Sequence, residues 1–484
     1  MTEKIALSIG GADVAASGDA TFERRNPLTG EVVTVAAAAT AEDSIAAVRA
    51  AAHAFPEWSA TPPVQRRLAL LTAADHLTEL REEFVASIAA ETGAPAHWAE
   101  FNVNLATSVL QEAAALTTAV RGETIPTNVA GSFAMTTRVP AGVVLGIAPW
   151  NAPVILGVRA LATPLAVGNT VVFKGSEKCP RTHRLIVDTL IGSGMPAGTV
   201  NFISHAQEDA GAVVEALIAH PAVRRVNFTG STSVGRIVGR LCGEHLTPSV
   251  LELGGKAPFV VLADADVDAA VDAAIFGAFA NSGQICMSTE RIIVDSGIAD
   301  DFVGALAGRA SGLSVGDPSG DAVLGSVIDA ATVARCNALL EDAISKGARV
   351  MTGGLATSTL MVPTIVDHVT PDMRVWREET FGPLKAIRRV NDVDEAVAAA
   401  NDTEFGLSAA VFGRESAQAL DVALRIDAGI CHVNGPTVHD EPHIPFGGVK
   451  SSGWGRFGGL AGVHEFTDLK WITMQSRGMR HYPF

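Results

Sequence analysis

Residues 142–173 read GVVLGIAPWNAPVILGVRALATPLAVGNTVVF and contain a clear alternation of structural patterns. Short apolar runs rich in β-branched residues occur at Gly142 to Ile147 and at Thr170 to Phe173, which is typical of buried parallel strands. The segment between them, Ala152 to Ala166, has the length and composition of a helix. These residues therefore predict a β-α-β unit, the building block of a doubly wound α/β sheet.

The same alternation continues on both sides of this unit. Upstream, Ala41 to Phe55 has helical spacing, with Thr40 as its expected N-cap. Downstream, Thr199 to Ile203 and Val223 to Phe228 predict further strands, each followed by a helix. We therefore expect a Rossmann-like α/β domain up to about residue 252. A second α/β pattern follows, with expected elements at Phe259 to Leu262, Asp266 to Ala280, Arg291 to Val294, Ala334 to Gly347 and Leu384 to Phe412.

Two other segments predict extended strands that no helix covers. They are Met135 to Arg138 and the tail His464 to Gln475. Since an exposed edge strand needs a partner, we expect both to reach into an interface between subunits. The sequence thus predicts a homo-oligomer, either a dimer or a tetramer.

Composition and charge exclude several classes of protein. The chain has 484 residues, 48% hydrophobic and 18% charged, which is typical of a globular protein with several domains. Its net charge of −16 argues against nucleic acid or an anionic membrane as the main partner. The most apolar region, residues 139–173, is interrupted by prolines and an arginine, which argues against a membrane helix. The five cysteines form no C-x-x-C pair, and this sparse set fits a reducing cytoplasm.

Cys286 is a candidate nucleophile. It lies in residues 281–288 (NSGQICMS), after a Gly-Gln turn between a predicted helix and a predicted strand. A thiol at such a junction is accessible to a ligand, and nearby backbone N–H groups can lower its pKa. The alternative is a small buried hydrophobic residue, which is the usual state of a lone cysteine.

Glu252 and Asn151 are candidate partners of this thiol. Glu252 lies in an apolar run, LELGGK at 251–256, where a carboxylate should have a raised pKa and suit a general base. The alternative is a helix cap or an ion pair with Lys256. Asn151 ends a buried strand, and its side-chain N–H can donate to a developing oxyanion. Its alternative role is the N-cap of the helix that follows.

Two further segments favour a nucleotide. Residues 227–235 (NFTGSTSVG) follow a strand and start a helix, whose N-terminus attracts phosphate. The segment matches neither G-x-G-x-x-G nor a Walker A loop, so a generic glycine turn is the alternative. Lys174 and Glu177 follow the strand that ends at Phe173 and can hold ribose hydroxyls. A solvated turn with an exposed ion pair is the alternative there.

In this order and spacing, the segments resemble the aldehyde dehydrogenase superfamily of NAD(P)-dependent enzymes. The resemblance covers almost the whole chain, from the helix at Ala41 to the tail. Residues 173–177 (FKGSE), 284–291 (QICMSTER) and 482–484 (YPF) are most similar to the bacterial salicylaldehyde and vanillin dehydrogenases of that superfamily. The motifs that carry the resemblance are PWN at 149–151, KGSE at 174–177, FTGST at 228–232, LELGGK at 251–256, GQIC at 283–286, EETFGP at 378–383 and PFGGVKSSG at 445–453.

The resemblance implies three catalytic residues and a reaction. Cys286 would attack the aldehyde carbon, Asn151 would donate to the oxyanion, and Glu252 would activate the hydrolytic water. The implied reaction is NAD(P)-dependent oxidation of an aldehyde to the carboxylic acid through a thiohemiacetal and a thioester. The expected substrate is aromatic, of the salicylaldehyde, vanillin or benzaldehyde type.

The resemblance also implies how the cofactor is held. Lys174 and Glu177 would bind the adenosine ribose, Ser231 would face the pyrophosphate, and Glu379 would bind the nicotinamide ribose. An acid at Glu177 should repel a 2′-phosphate, so we expect NAD, with NADP as the second option. Gly175 departs from the proline that many relatives have, which loosens this turn. The full cofactor set is Trp150, Lys174, Ser176, Glu177, Gly230, Ser231, Gly254, Glu379 and Phe381.

Arg159 is the most unexpected residue of the predicted helix after Asn151. Eight residues separate the two, roughly two helical turns, so both lie near one helix face. We expect Arg159 to face the substrate and bind a phenolic or carboxylate oxygen; the alternative is an ion pair with an acidic side chain elsewhere. The expected apolar walls are Trp98, Ile285 and Met287.

Residues 439–443 (HDEPH) look like metal ligands, but we expect a solvated loop and no metal.

The implied domain organisation has three parts. Residues 1–120 and 141–252 form an NAD-binding domain, 253–463 a catalytic domain, and 121–140 with 464–484 a small β oligomerisation arm.

Four alternatives to the expected function remain open: an aliphatic or semialdehyde dehydrogenase, a CoA-acylating dehydrogenase, a thiol esterase, and a binding or structural protein without activity. CoA-acylating enzymes usually lack the glutamate of the base position, so Glu252 argues against that alternative.

Overall fold

The computed structural model is a mixed α/β fold, and it describes residues 2–478 and 482–484. Its helices are α1 (Ala41–Ala60), α2 (Pro63–Glu79), α3 (Arg81–Thr92), α4 (Ala96–Leu116), α5 (Pro153–Ala166), α6 (Pro180–Ile191), α7 (Ala210–Ala219), α8 (Thr232–Glu244), α9 (Val267–Phe279), α10 (Ala299–Ser311), α11 (Ala330–Ser345), α12 (Arg374–Arg377), α13 (Val393–Asn401), α14 (Ser416–Leu424) and α15 (Gly459–Glu465). Its strands are β1 (Glu3–Ile5), β2 (Leu7–Ile9), β3 (Ala12–Val14), β4 (Thr21–Arg25), β5 (Val32–Ala37), β6 (Thr124–Ile125), β7 (Ser132–Pro140), β8 (Val143–Ile147), β9 (Thr170–Lys174), β10 (Val200–Ile203), β11 (Val223–Thr229), β12 (Ser249–Glu252), β13 (Ala257–Val261), β14 (Thr289–Asp295), β15 (Arg349–Thr352), β16 (Thr364–Asp367), β17 (Leu384–Val390), β18 (Ser408–Phe412), β19 (Ile430–Val433), β20 (Gly453–Trp454) and β21 (Thr467–Gln475).

The first large sheet has eight strands in the order β20-β12-β11-β8-β9-β10-β2-β3. Strands β12, β11, β8, β9 and β10 are parallel. The expected β-α-β unit is confirmed as β8, α5 and β9, and β8 pairs with β9 from Val143 opposite Thr170 to Ile147 opposite Lys174. Every residue of α5 is buried, which explains its continuous apolar composition.

The second large sheet has seven strands in the order β15-β16-β17-β14-β13-β18-β19. All are parallel to their neighbours except β15, which pairs antiparallel with β16. The second α/β pattern of the sequence is thus confirmed. One boundary differs: α11 begins at Ala330, four residues before the expected Ala334, because Asp329 caps it by accepting a hydrogen bond from the Thr332 N–H at 2.9 Å.

The two uncovered segments pair with each other in a third sheet, β21-β7-β6. Strands β21 and β7 run antiparallel from Thr467 opposite Pro140 to Gln475 opposite Ser132. The tail strand starts at Thr467, later than expected, because His464 lies in the last turn of α15. β21 is the outer strand of this sheet, a position that is compatible with an interface between subunits. The interface itself stays a prediction. Residues 479–481 of the predicted arm lie outside the described residues.

Several short strands are not visible in the sequence pattern. Strands β1, β5 and β4 form a small sheet of their own, and β2 and β3 extend one edge of the eight-stranded sheet. Three of these strands have only three residues, too few to show a period. At the opposite edge, Gly453–Trp454 pair with β12, although the predicted boundaries assign them to the catalytic domain. The domain boundaries themselves stay a prediction.

The topology brings several loops to one edge of the eight-stranded sheet. Strand β8 lies between β9, which follows it in the chain, and β11, which comes later, so the strand order reverses beside β8. In open α/β sheets, ligands bind outside the carboxyl ends of the strands at such a point. The segments that leave this edge are Pro149 to Asn151 after β8 and Gly230 to Ser231 after β11. Within residues 2–478 and 482–484, no helix combines the length and apolarity needed to cross a bilayer.

Candidate active site

The backbone before Cys286 adopts an unusual left-handed turn. A short 3₁₀ turn, Ala280–Gly283, follows α9, and within it Asn281 and Ser282 have φ values of 49° and 54°. Gly283 continues the turn with φ of 73°. Left-handed backbone is unfavourable for residues with a Cβ, and such strain is found mainly where the surrounding structure holds a functional loop. The turn reverses the chain and leaves Cys286 half-buried before β14.

Cys286 lies where two cavities meet. The first has a volume of about 290 Å³ and the second about 320 Å³, and both are lined by Cys286, Asn151 and Leu156. The other lining residues of the first cavity are Pro149, Trp150, Thr229, Gly230, Ser231, Glu252, Gly254, Arg335, Glu379 and Phe381. The second is lined mainly by apolar side chains: Trp98, Phe101, Leu105, Ile155, Phe276, Ile285, Met287, Val438 and Phe446. A reactant held on the Cys286 sulfur would therefore face both spaces.

Glu252 ends β12 inside the first cavity. It is 1% exposed, and its Oε1 has no hydrogen-bond partner among the described residues. Burial raises the pKa of Glu252 to about 7. The alternative ion pair with Lys256 is wrong, because the Lys256 amine donates to Glu290 at 2.6 Å instead. A carboxyl group with such a pKa can accept and release a proton near neutral pH.

The surroundings of Cys286 favour its protonated thiol over the thiolate. Burial raises its pKa well above the ordinary value, and the neighbouring Glu252 carboxylate raises it further. The sequence-based expectation of a lowered pKa is therefore wrong for this state. The reason is that the nearby charges are carboxylates, and Arg159 only partly offsets them. A base must take the proton before the sulfur can act as a nucleophile.

Asn151 points its amide at the Cys286 loop. Its Nδ2 donates to the Gln284 carbonyl oxygen at 3.0 Å. The backbone carbonyl oxygen of Asn151 accepts hydrogen bonds from Trp98 Nε1 at 3.0 Å and from Asn281 Nδ2 at 2.9 Å. The residue that caps α5 is Ala152, and it makes no side-chain cap, so Asn151 is not the helix cap that the sequence left open. These bonds fix the amide at the base of the nucleophile loop.

Two glycines after Glu252 allow three loops to approach each other. A Cβ on Gly254 would lie 2.7 Å from Glu379 Oε2, and a Cβ on Gly255 would overlap the carbonyl oxygen of Cys286. Glu379 accepts a hydrogen bond from the Gly255 N–H at 2.9 Å. Burial raises the pKa of Glu379 to about 7. The glycines thus explain how Glu379 and Cys286 come to one cavity although 93 positions separate them in the chain (379 minus 286).

The remaining wall of the first cavity suits a phosphate and a flat ring. Ser231 caps α8 by accepting from the Val234 N–H at 3.4 Å, and the helix N-terminus opens beside Gly230. Trp150 and Phe381 meet edge to face, with ring centroids 5.8 Å apart.

Lys174, Ser176 and Glu177 lie at the carboxyl end of β9, beyond the residues that line the first cavity. Lys174 Nζ donates to His205 Nε2 at 2.9 Å. The pKa of His205 falls to about 4 because of burial and the nearby Lys174 ammonium, so its ring is a neutral acceptor. At Gly175, a Cβ would lie 2.7 Å from the Phe202 ring, which explains the glycine at this position.

The second cavity contains the four residues expected to meet the substrate: Trp98, Arg159, Ile285 and Met287. The alternative for Arg159 is also present, since its Nη2 forms an ion pair with Asp440 Oδ2. Both side chains are nearly buried, and the guanidinium lies 4.4 Å from the centroid of the Phe446 ring. Asp440 belongs to the 439–443 segment, whose His439 and His443 are exposed. No cluster of three or more metal-ligating side chains occurs in the described part of the chain.

Four residues of the site were not found from the sequence. Asn281 and Gln284 hold the nucleophile loop, Arg335 lines the first cavity from α11, and His205 accepts from Lys174. Gln284 lay inside a quoted motif, so its position beside Cys286 was a usable signal. Arg335 lies in an ordinary amphipathic helix, where nothing in the pattern separates it from a solvated arginine.

The geometry defines an enzyme site in which a thiol lies between two cavities, one that also contains a buried carboxylate and one that is mainly apolar. A sequence model of the aldehyde dehydrogenase family matches residues 14–472. The vanillin dehydrogenase of Pseudomonas sp. (strain HR199 / DSM 7063) is 58% identical over 480 residues, 99% of each chain. The salicylaldehyde dehydrogenase of Pseudomonas sp. (strain C18) is 47% identical over 483 residues, 99% of this chain and 100% of that one.

A solved structure agrees with these matches. The crystal structure of a salicylaldehyde dehydrogenase from Pseudomonas putida G7 complexed with salicylaldehyde is 46% identical, with a TM-score of 0.98 over 100% of both chains. The chain therefore belongs to the aldehyde dehydrogenase family, and the expected α/β fold and resemblance are confirmed.

Proposed function

We propose that the protein is an NAD-dependent dehydrogenase that oxidises aromatic aldehydes to carboxylic acids. The observation that carries this proposal is the position of Cys286 between the two cavities. The carbonyl carbon of an aldehyde in the apolar second cavity can bond to the sulfur and, at the same time, face a hydride acceptor in the first cavity. Relatives named vanillin, salicylaldehyde and benzaldehyde dehydrogenases support the aromatic class.

Glu252 acts first, as the base that takes the proton of the Cys286 thiol. Its pKa of about 7 suits this transfer, and the thiol needs it because its own pKa is raised. The thiolate attacks the aldehyde carbon and places negative charge on the former carbonyl oxygen.

Asn151 and the Cys286 backbone hold this oxyanion. In the structure, Asn151 Nδ2 donates to the Gln284 carbonyl oxygen at 3.0 Å. When the oxyanion forms, Nδ2 donates to it instead, because the oxyanion carries more negative charge than a carbonyl oxygen. Each such donor contributes about 10²–10³ in rate. Glu252 releases the thiol proton to solvent and, ionised again, takes a proton from water, which attacks the thioester carbon; the carbon–sulfur bond breaks, the acid leaves, and the proton on Glu252 can return to the Cys286 sulfur.

The first cavity would hold the nicotinamide end and a phosphate of the dinucleotide, which when bound accepts the hydride from the carbon on Cys286. Ser231 and the α8 N-terminus would hold phosphate, and Glu379 a ribose. The missing Cβ of Gly254 leaves room beside Glu379. Lys174 lowers the pKa of Glu177 although burial opposes this, so Glu177 is ionised and disfavours the 2′-phosphate of NADP.

Arg159 and Asp440 give the apolar cavity a polar end. Trp98, Ile285 and Met287 would pack against the aromatic ring of the substrate. The guanidinium would donate to a hydroxyl or phenolate oxygen on that ring while it keeps its bond to Asp440.

The assembly is a homo-oligomer in this proposal. Within the described part of the chain, strand β21 has an unpaired outer edge and exposes Leu469, Trp471 and Met474. A long edge strand with apolar side chains is a natural place for a second copy to bind. All five cysteines are free, which supports the cytoplasm as the compartment.

The test is an aldehyde panel followed by NADH absorbance. We expect turnover of hydroxylated and plain benzaldehydes with NAD, and none for Cys286→Ala. Turnover that survives in Cys286→Ala would exclude the proposal. Aliphatic aldehydes as the better substrates would exclude the aromatic class.

A further inference from the structure

A cluster of buried charges lies behind the first cavity, between strands β13, β14 and β17. It consists of Lys256, Glu290 and Lys385, whose side chains are 0%, 2% and 0% exposed. Lys256 Nζ lies 2.6 Å from Glu290 Oε2, and Lys385 Nζ lies 4.0 Å from Glu290 Oε1. Buried charges are costly unless they are paired and hydrogen-bonded, so such a cluster needs a structural or functional reason.

Glu290 uses both carboxylate oxygens to hold one tight turn. Its Oε2 accepts from the Thr380 N–H at 2.9 Å, and its Oε1 accepts from the Phe381 N–H at 2.9 Å. Lys256 Nζ also donates to Thr380 Oγ1 at 3.0 Å. Phe381 has φ of 46°, a left-handed conformation that is unfavourable for an aromatic residue. The two hydrogen bonds therefore stabilise a backbone that the local sequence does not favour.

This turn carries the two cofactor-facing side chains of its loop. Glu379 and Phe381 flank Thr380, and both line the first cavity. Phe381 has its left-handed backbone in this arrangement, so a change in the conformation of the turn would move the side chains that it carries.

The charge state of the cluster agrees with this role. Burial raises the pKa of Glu290, but Lys256 and Lys385 outweigh burial and hold it at about 2. Lys385 Nζ also donates to Ser288 Oγ at 2.9 Å, which joins the cluster to the loop of Cys286. An ionised carboxylate makes stronger hydrogen bonds to backbone N–H groups than a neutral one.

We propose that Glu290 is a positioning residue that preorganises the Thr380–Phe381 turn, and thereby Glu379, for the nicotinamide ribose. The inference rests on the proposed function for the identity of the ligand. Glu290 itself does not line the cavity, so it acts through the turn. Lys256 and Lys385 serve as its counter-ions.

The first experiment uses the unmodified protein and hydrogen exchange with mass spectrometry. We expect peptides that cover Thr380 and Phe381 to be protected before any NAD is added, because Glu290 already accepts both N–H groups. Rapid exchange in this state would overturn the proposal without any variant. The measurement needs no aldehyde turnover, so it is independent of the proposed activity.

The second experiment compares Glu290→Gln and Glu290→Asp by fluorescence titration of NADH. Gln presents an amide donor where an acceptor is needed, and Asp keeps the charge but is one methylene shorter. We expect the Kd to rise by about tenfold or more in both, with faster exchange of the turn. Hydrolysis of p-nitrophenyl acetate, which needs only the thiol site, should fall much less, by about threefold at most.

The matched control is Glu395→Gln, which removes the partner of Arg388 on a partly exposed surface. We expect its Kd to stay at the unmodified value. An unchanged Kd in Glu290→Asp would mean that only the charge matters, which excludes positioning. Equal losses of NADH binding and ester hydrolysis would indicate a general structural role. If the unmodified protein bound no dinucleotide, the proposed function would fail while the protection of the turn still stood.

Discussion

Glu252 combines two features that rarely occur together, burial and a carboxylate oxygen that no described residue bonds. A purely structural glutamate at this position would be paired, as Glu290 is with Lys256 nearby. Glu252 and Cys286 line the same cavity, so the carboxylate can accept a proton from the thiol or from a water. We propose that proton transfer is the reason for this costly burial.

Replacing Glu252 with Gln should slow the attack by the Cys286 thiol, which must then lose its proton to water, and slow hydrolysis even more, so that the acyl-enzyme accumulates. Since only the ionised carboxylate accepts a proton, hydrolysis in the unmodified enzyme should rise with pH through about 7 and then level off. In Glu252→Gln, kcat should fall by about 10²–10⁴ and lose this pH dependence. Mass spectrometry of the denatured protein should show an added acyl group on the peptide with Cys286. Steady turnover at the unmodified rate would contradict the role of the base.

Replacing Arg159 with Leu should remove discrimination between hydroxylated and plain benzaldehydes. The lost charge-assisted hydrogen bond predicts a fall of about 10- to 100-fold in kcat/KM for the hydroxylated substrate alone. The double variant Arg159→Leu with Asp440→Leu removes the unpaired carboxylate that the single change leaves buried. Selectivity that is unchanged in both variants would show that Arg159 only pairs with Asp440.

At the scale of single elements, Gly254 and Gly255 after β12 let their loop lie close to the loops that carry Glu379 and Cys286. The Gly255 position faces the Cys286 carbonyl oxygen, so an added methyl group there would collide with it. Gly243 in α8 is exposed, and no atom lies within 4 Å of the point where its methyl group would be. The same substitution at the two sites therefore has opposite consequences.

Gly255→Ala should displace the nucleophile loop and lower kcat/KM by about 100-fold, the effect expected of a shift near 1 Å. Gly243→Ala should leave activity unchanged and raise the free energy of unfolding by about 0.5–1 kcal/mol, because alanine favours a helix. Steady-state kinetics and denaturant unfolding check both. Full activity in Gly255→Ala would mean that the loop can yield without loss of function.

The long buried elements could be predicted from the sequence, because their patterns are strong. Residues 143–174 are β-branched or apolar almost throughout, and Thr40, the expected N-cap of α1, forms a capping box with Asp43. The left-handed turn at Asn281 and Ser282 was not predictable, since neither residue type requires it. The pairing of Arg159 with Asp440 joins positions 281 apart (440 minus 159), which no local pattern reports.

At the scale of the whole molecule, an exposed apolar surface lies away from the two cavities. Leu469, Trp471 and Met474 on β21 are 59%, 73% and 58% exposed. Their strand is joined to its sheet through β7. A surface of this kind is typical of a site where another protein surface binds.

Trp471→Lys should shift the protein toward monomers, because it places a charge on the edge that we expect a second copy to cover. Size-exclusion chromatography with light scattering measures this directly. Leu424→Lys is the control, since Leu424 is 78% exposed at the end of α14 and far in sequence from the strand. A monomer in the unmodified protein, or the same assembly in Trp471→Lys, would contradict the proposed interface.

The raised pKa of the Cys286 thiol has a consequence for its reaction with oxidants. Peroxides and electrophiles react with thiolates much faster than with thiols. Because the surroundings of Cys286 favour the thiol, we expect its sulfur to react slowly with peroxides and electrophiles between turnovers.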